Sequence, residues 1–187
     1  MKIQVFRKLS FSALIVSSFL ISSCDLLDKA DDVNFDTTLE ETINISEQDA
    51  GTNVAYSETI TLDATTDPDI NEYKNKITGF TVKKVSYQIT GYDGPSNATF
   101  SGTVSFGDAS TTTPTVAATI SNLNFQTANA GQTIFDLPVS QADIDKIGNL
   151  LKDDKAVKIY LNGTLSATPL YSNVRVILEV SVKADAL

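Results

Sequence analysis

Val174, Val176, Leu178, Val180 and Val182 stand on alternate positions of one uninterrupted run, with Arg175, Glu179 and Ser181 among the residues between them. Successive side chains of an extended strand point to opposite faces, so this run suits a half-buried strand and conflicts with a helix, whose apolar face repeats every three to four residues. The same period governs most of the chain. Val33, Phe35, Leu39, Ile43 and Ile45 share one parity, with a bend expected near Glu41, and Val54, Tyr56, Ile60 and Leu62 repeat the pattern. Further strands are expected around Phe100, Val104 and Phe106, around Val116, Ala118 and Ile120, over residues 134–139, and around Val157, Ile159, Leu161 and Leu165. Phe80 and Val82 fall on one parity whereas Val85, Tyr87 and Ile89 fall on the other, which predicts a bulge at Lys83-Lys84.

Two short helices interrupt this pattern. Asp67-Pro68 supplies a cap and a first-turn proline ahead of Ile70, Tyr73 and Ile77, with Gly79 as the stop. Ser140 and Asp143 form a capping pair ahead of Ile144, Ile147, Leu150 and Leu151, which share a helical face. "GYDGPSN", residues 91–97, has the composition of a turn, as does "ASTTTPT" over 109–115. About eight antiparallel strands with two short helices predict a β-sandwich in a single domain over residues 33–187. The alternative is a closed barrel similar to the lipocalins, although the chain has no tryptophan for that family's Gly-x-Trp motif.

Composition excludes much chemistry. The chain has no histidine and one cysteine, so a Ser-His-Asp triad, a Cys-His pair and an ordinary zinc site cannot be built. Asp67, Asp69 and Asn71 have the spacing of a calcium loop. Glu72 and Thr78 stand where such a loop needs glycine and a bidentate glutamate, so the helix start explains these residues better. No metal, cofactor or catalytic residue is expected. With 14 basic against 23 acidic residues, the chain is also poorly suited to neutralising nucleic-acid phosphates. Candidate ligand contacts are Tyr92, Asp93 and Asn97 in the first turn, with Tyr171 in an expected turn at "TPLYSN". An exposed aromatic beside hydrogen-bonding groups suits a glycan or peptide. The alternative for Tyr92 is a ring folded back over the end of the core.

The N-terminus gives an address. Lys2, Arg7 and Lys8 precede a run of apolar and small residues from Leu9 to Ile21, which Ser22, Ser23, Cys24 and Asp25 stop short of the roughly 20 residues a spanning helix needs. Ile21-Ser22-Ser23-Cys24 resembles the lipobox of bacterial lipoproteins. The resemblance covers residues 1–24 and implies removal of residues 1–23, acylation of Cys24 by chains such as palmitate, and attachment to the membrane through that cysteine. Two or more acyl chains hold a protein far more firmly than one. Residues 24–32 then form a tether in which Asp25, Asp28, Asp31 and Asp32 resemble the acidic stretch of surface-exported lipoproteins, whereas Asp25 directly after the cysteine is also similar to the inner-membrane retention signal of enteric lipoproteins. The expectation is an outer-membrane, non-catalytic binding or assembly module with an envelope protein or glycan as partner. A carrier of an apolar ligand and a carboxylate-dependent hydrolase are the alternatives.

Overall fold

A computed structural model describes residues 32–185 as six strands, three α-helices and one 3-10 turn. Residues 1–31, with Cys24 and nearly all of the expected tether, lie outside the described residues.

Two long strands organise the rest. β1 (Asp32–Asp63) and β6 (Ala156–Asp185) run antiparallel along their whole lengths, from Asp32 opposite Asp185 to Asp63 opposite Ala156. The other side of β6 is shared between β3 (Thr99–Asp108), which takes its first half, and β2 (Ile77–Asp93), which takes its second. β4 (Val116–Asn124) lies beyond β3 and β5 (Ile134–Asp136) beyond β2, giving the order β4-β3-β6-β2-β5 with β1 on the far side of β6. The result is one antiparallel sheet curled into a half-barrel. The expected mainly-β, antiparallel architecture is therefore present. Its eight expected strands become six, because β1 and β6 each supply two. A closed barrel is not what forms, since β4 and β5 each end the sheet with one neighbour among the described residues.

One discontinuity lets two strands turn a corner together. The β1–β6 register slips between Glu47 and Gly51, so that Gln48, Asp49 and Ala50 face Pro169. Proline has no N–H to give a ladder, and an interruption is where a long strand can hold one. Thr168 ties the slip down: its Oγ1 donates to the carbonyl of Asp49 at 2.6 Å. The corner also changes parity. The buried residues are Leu39, Ile43 and Ile45 before it in β1 and Tyr56 and Leu62 after it, while β6 switches from Val157, Ile159, Leu161 and Leu165 to Leu170, Val174, Val176 and Leu178. Both strands thus keep their apolar side on the concave face. The bend expected near Glu41 lies instead at this slip. At Lys83-Lys84 the β2–β6 register does shift, between Val82 and Lys84, as the change of parity predicts.

Helices fill the concavity and cover its ends. α1 (Pro68–Tyr73) is capped by Asp67, whose Oδ1 accepts from the backbone N–H groups of Asp69 and Ile70 and whose Oδ2 accepts from the Thr37 hydroxyl at 2.7 Å. Both oxygens are occupied, one in starting the helix and one in tying it to β1. It ends before Ile77 and Gly79, which belong to β2, because Ile77 pairs with Ala184. α2 (Phe125–Gly131) was not among the expected helices and buries Phe125 and Ala128. α3 (Gln141–Asp154) buries Ile147 and Leu151 and packs against β2 and β6. It comes so close that a Cβ on Gly148 would lie 2.8 Å from the Phe80 carbonyl oxygen. All these elements feed one continuous apolar cluster, with Phe100, Phe106 and Phe125 among its largest fully buried side chains.

The α3 cap is reciprocal: Ser140 Oγ accepts from the Asp143 N–H at 3.2 Å and donates to Asp143 Oδ2 at 2.7 Å. Ser140→Ala is expected to lower unfolding free energy by about 1 kcal/mol. Ser140→Thr should recover most of it, as read from urea midpoints at constant slope.

Candidate functional site

Tyr92 is turned inward. Its ring stacks on Phe125 with centroids 5.4 Å apart and planes 6° from parallel, and its hydroxyl donates to the Pro95 carbonyl at 2.5 Å. Burial, with the Asp93 charge as a lesser cause, pushes its hydroxyl pKa up. This is the ring folded back over the core, with little face left for a ligand. Asp93 and Asn97 are exposed. Tyr171 requires a correction, because it lies inside β6 rather than in a turn, beside the β1–β6 slip and opposite Asp93 of β2. Asp93 and Tyr171 are therefore brought together on the outer face, while Tyr92 packs away from them.

A concavity lies where the half-barrel fails to close. Between β4 and β5 runs a groove of about 420 Å³. Six consecutive residues of β4, Thr119 to Asn124, line one side. A strand seen from its face would show alternate residues, so a consecutive set means that the groove follows the strand's edge. Phe135 and Tyr87 line the opposite wall with rings stacked 5.2 Å apart at 20°. Ala128 and Thr127 of α2 also reach it, so this short helix shapes the groove as well as spanning the gap between the edges.

Its electrostatics differ from those of the rest of the chain. Ala109 to Phe135 contain no Asp, Glu, Lys or Arg, in a chain with 23 acids and 14 basic residues. That stretch supplies the loop before β4, β4 itself, α2 and the start of β5. The groove's one lining carboxylate, Asp136, is met by Lys84 Nζ at 2.7 Å. This ion pair raises the Lys84 pKa, chiefly through the hydrogen bond from Lys84 to Asp136. Burial raises the pKa of the Tyr87 hydroxyl. The groove is thus a neutral patch on an acidic protein.

Most of its amide side chains are already occupied. Asn124 caps α2, its Oδ1 accepting from the Thr127 N–H at 2.8 Å and its Nδ2 donating to the Ser96 carbonyl. Asn122 bonds to Ser101 through both its backbone N–H and its Oδ1. None of the groove residues was among the expected contacts. The signal that could have found them is the absence of charge over residues 109–135.

A second polar group lies on the convex face. Arg175 donates from Nη1 to Glu40 at 2.9 Å and from Nη2 to Gln88 at 2.6 Å, and Gln88 donates onward to the Gln132 carbonyl. This chain of bonds ties β1, β6 and β2 to the segment after α2. Its side chains are bonded to one another as in a structural clamp, with Arg175 Nε left buried and without a partner. Among the described residues no group of three or more His, Cys, Asp or Glu could hold a metal ion.

No family model matches the chain, and no curated protein matches it. Among solved structures, the chain is similar to a turnip yellow mosaic virus structure (10% identity, 83% of this chain and 96% of that chain covered, TM-score 0.38). It is also similar to the desmodium yellow mottle tymovirus (9% identity, 100% and 94% covered, TM-score 0.37) and to a decameric BFDV capsid protein (10% identity, 81% and 99% covered, TM-score 0.41). At these TM-scores the likenesses transfer no activity or partner to this chain.

Proposed function

We propose that this chain is a lipid-anchored module of the bacterial cell envelope that binds or assembles a partner without catalysis, and that the partner lies in the groove between β4 and β5. The observation that carries this reading is the neutral groove on a chain of net charge −9. Uncharged, partly apolar concavities with few polar groups are the usual form of a binding site. Anchoring rests on Ile21-Ser22-Ser23-Cys24 after a basic and then apolar start. The acidic surface disfavours nucleic acid and electrostatic adhesion to anionic lipid, which leaves attachment to the acyl chains. Asp36, Asp108 and Asp143 have pKa values below the usual carboxylate value, through bonds led by Lys83, Ser110 and Lys146 respectively. A general acid needs the opposite displacement.

Two experiments on the full chain in its native cells test the reading. Cys24→Ser should release the protein from membranes or trap its precursor, and mass spectrometry should find acyl chains on an N-terminal Cys24 peptide. An unmodified Cys24 in a soluble product would remove the anchor. A photo-crosslinking residue placed at Thr119 in the groove, compared with one at Thr61 of β1, should give a discrete envelope adduct from Thr119 alone. Adducts from Thr61 alone, or from neither, would overturn the groove as the site.

A further inference from the structure

We propose that the groove takes an extended, low-charge peptide segment of a partner protein, which adds to the free edge of β4 as a seventh strand and occupies the gap toward β5. This rests on the groove being the binding site and names its ligand.

The sheet has two long free edges, and they are built differently. β1 pairs with β6 on one side and has no strand partner on the other among the described residues. It carries Asp32, Asp36, Glu40, Glu41, Glu47, Asp49, Glu58 and Asp63, and a dense row of charge is one of the ways proteins keep an open edge from recruiting another strand. β4 pairs with β3 and is equally open on its other side, yet Val116–Asn124 holds no charged residue and no proline. Its one local irregularity is Asn122, at φ 50°, near the C-terminal end. The stretch from Val116 to Ser121 precedes that kink, with Val116, Ala118 and Ile120 buried and Ala117, Thr119 and Ser121 exposed. Nothing in its composition discourages pairing.

Beyond the hydroxyls of Thr119, Ser121 and Thr127, the chemistry that the groove offers is main-chain chemistry along an open strand edge. A glycan would be held chiefly by side chains, and Asn122, Asn124 and Asp136 are already bonded within the protein. An open strand edge offers N–H and C=O groups at the spacing of another backbone, with side-chain pockets selecting alternate residues. Ile120 and Phe135 offer apolar contact for an added strand's inward residues. A second depression, lined by Thr115, Lys146, Asn149 and Leu150, flanks the start of β4, so concave surface is present at both ends of the strand. The volume of about 420 Å³ suits one short extended segment; a second copy would have to bring the β3 strand paired to its own β4. Charge makes the same selection, because an uncharged wall gives an acidic or basic segment nothing to repay its lost hydration.

The test uses the full chain in detergent and a phage-displayed library of random nonapeptides as probe. Selected peptides should be poor in charge and alternate apolar with polar residues. As synthetic peptides they should slow amide hydrogen exchange of β4 by roughly tenfold or more while leaving β1 unchanged. Thr119→Lys, an exposed position on the edge, should weaken binding by roughly tenfold at unchanged melting temperature, and Thr61→Lys on β1 should not. No selected binder, binders that leave β4 exchange unaltered, or binding indifferent to Thr119→Lys would each overturn strand addition. A neutral oligosaccharide captured on a glycan array, with β4 exchange unaltered, would also overturn it. If Thr119 still crosslinks an envelope component in any of these cases, the groove remains the binding site and the peptide assignment alone fails.

Discussion

Gly163→Ala should lower the unfolding free energy by about 3 kcal/mol, at the upper end of what one added carbon costs a packed interior. Gly163 of β6 faces Tyr56 of β1 on one side and Gly102 of β3 on the other, so its backbone is held from both directions. The Phe100 ring lies over the two glycines. A Cβ on Gly163 would fall 2.5 Å from the Ser101 carbonyl oxygen and 2.6 Å from the ring, and one on Gly102 would fall 2.2 Å from the Asn162 carbonyl oxygen. Phe100→Ala should cost about 3 to 5 kcal/mol by emptying the same space. The informative quantity is the coupling between them. In Phe100→Ala the ring contact is gone while the Ser101 carbonyl remains, so the double variant with Gly163→Ala should lose less than the summed single losses by about 1 kcal/mol or more. Additive losses, or a Gly163→Ala cost below about 1 kcal/mol in urea unfolding, would contradict this packing.

Stability should vary little with pH between about 5 and 9, where a chain without histidine has few groups to titrate, and fall steeply above about 10. Tyr56 is buried at the corner, its hydroxyl donating to the Asn44 carbonyl at 3.3 Å. Burial first, then the charges of Glu58 and Glu47, push its pKa from 10.0 up to about 12. In the unfolded chain this hydroxyl ionises near 10, so above that pH the unfolded state binds fewer protons than the native one. Its contribution is present in full below pH 10 and is lost as pH rises toward 12. The loss attributable to Tyr56 is on the order of 2 kcal/mol. Lys84 and Lys183, whose pKa values are raised by hydrogen bonds to Asp136 and Asp32, change in the same direction. Tyr56→Phe separates the causes: its urea midpoint should fall less between pH 9 and 11.5 than that of the parent chain. Equal falls would assign the alkaline transition to other groups.

Several signals with a local cause were legible. The parity change at Lys83-Lys84, the Asp67-Pro68 helix start and the Ser140 cap each depend on a few adjacent residues, and each is present. Continuity was not legible. The alternation over residues 33–45 and over residues 54–62 predicts two strands, yet the chain passes Gly51 and Pro169 within single strands because these residues lie at the same slip, which Thr168 fastens to Asp49. The turn expected at "TPLYSN" is likewise replaced by continuous strand through Tyr171. α2 has one turn of apolar contact, too short for a helical period to emerge, although Asn124 caps it. The groove was hidden differently, since its mark is residues that are missing. No motif search over side chains registers an uncharged stretch.

The pairing of β1 with β6 also sets an order in time. β1 leaves the ribosome before any other described strand and its partner β6 leaves after all of them, so Asp32 cannot meet Asp185 until every described strand has been made. Contacts between such distant residues are slow to form, because a long loop must close before they can contribute. Until then β1 is a 32-residue strand without a ladder, and its eight acids keep it apart from other copies of itself. A chain that cannot complete its sheet early also stays threadable, and the export proposed above would draw on that delay, because a translocation channel takes unfolded cargo.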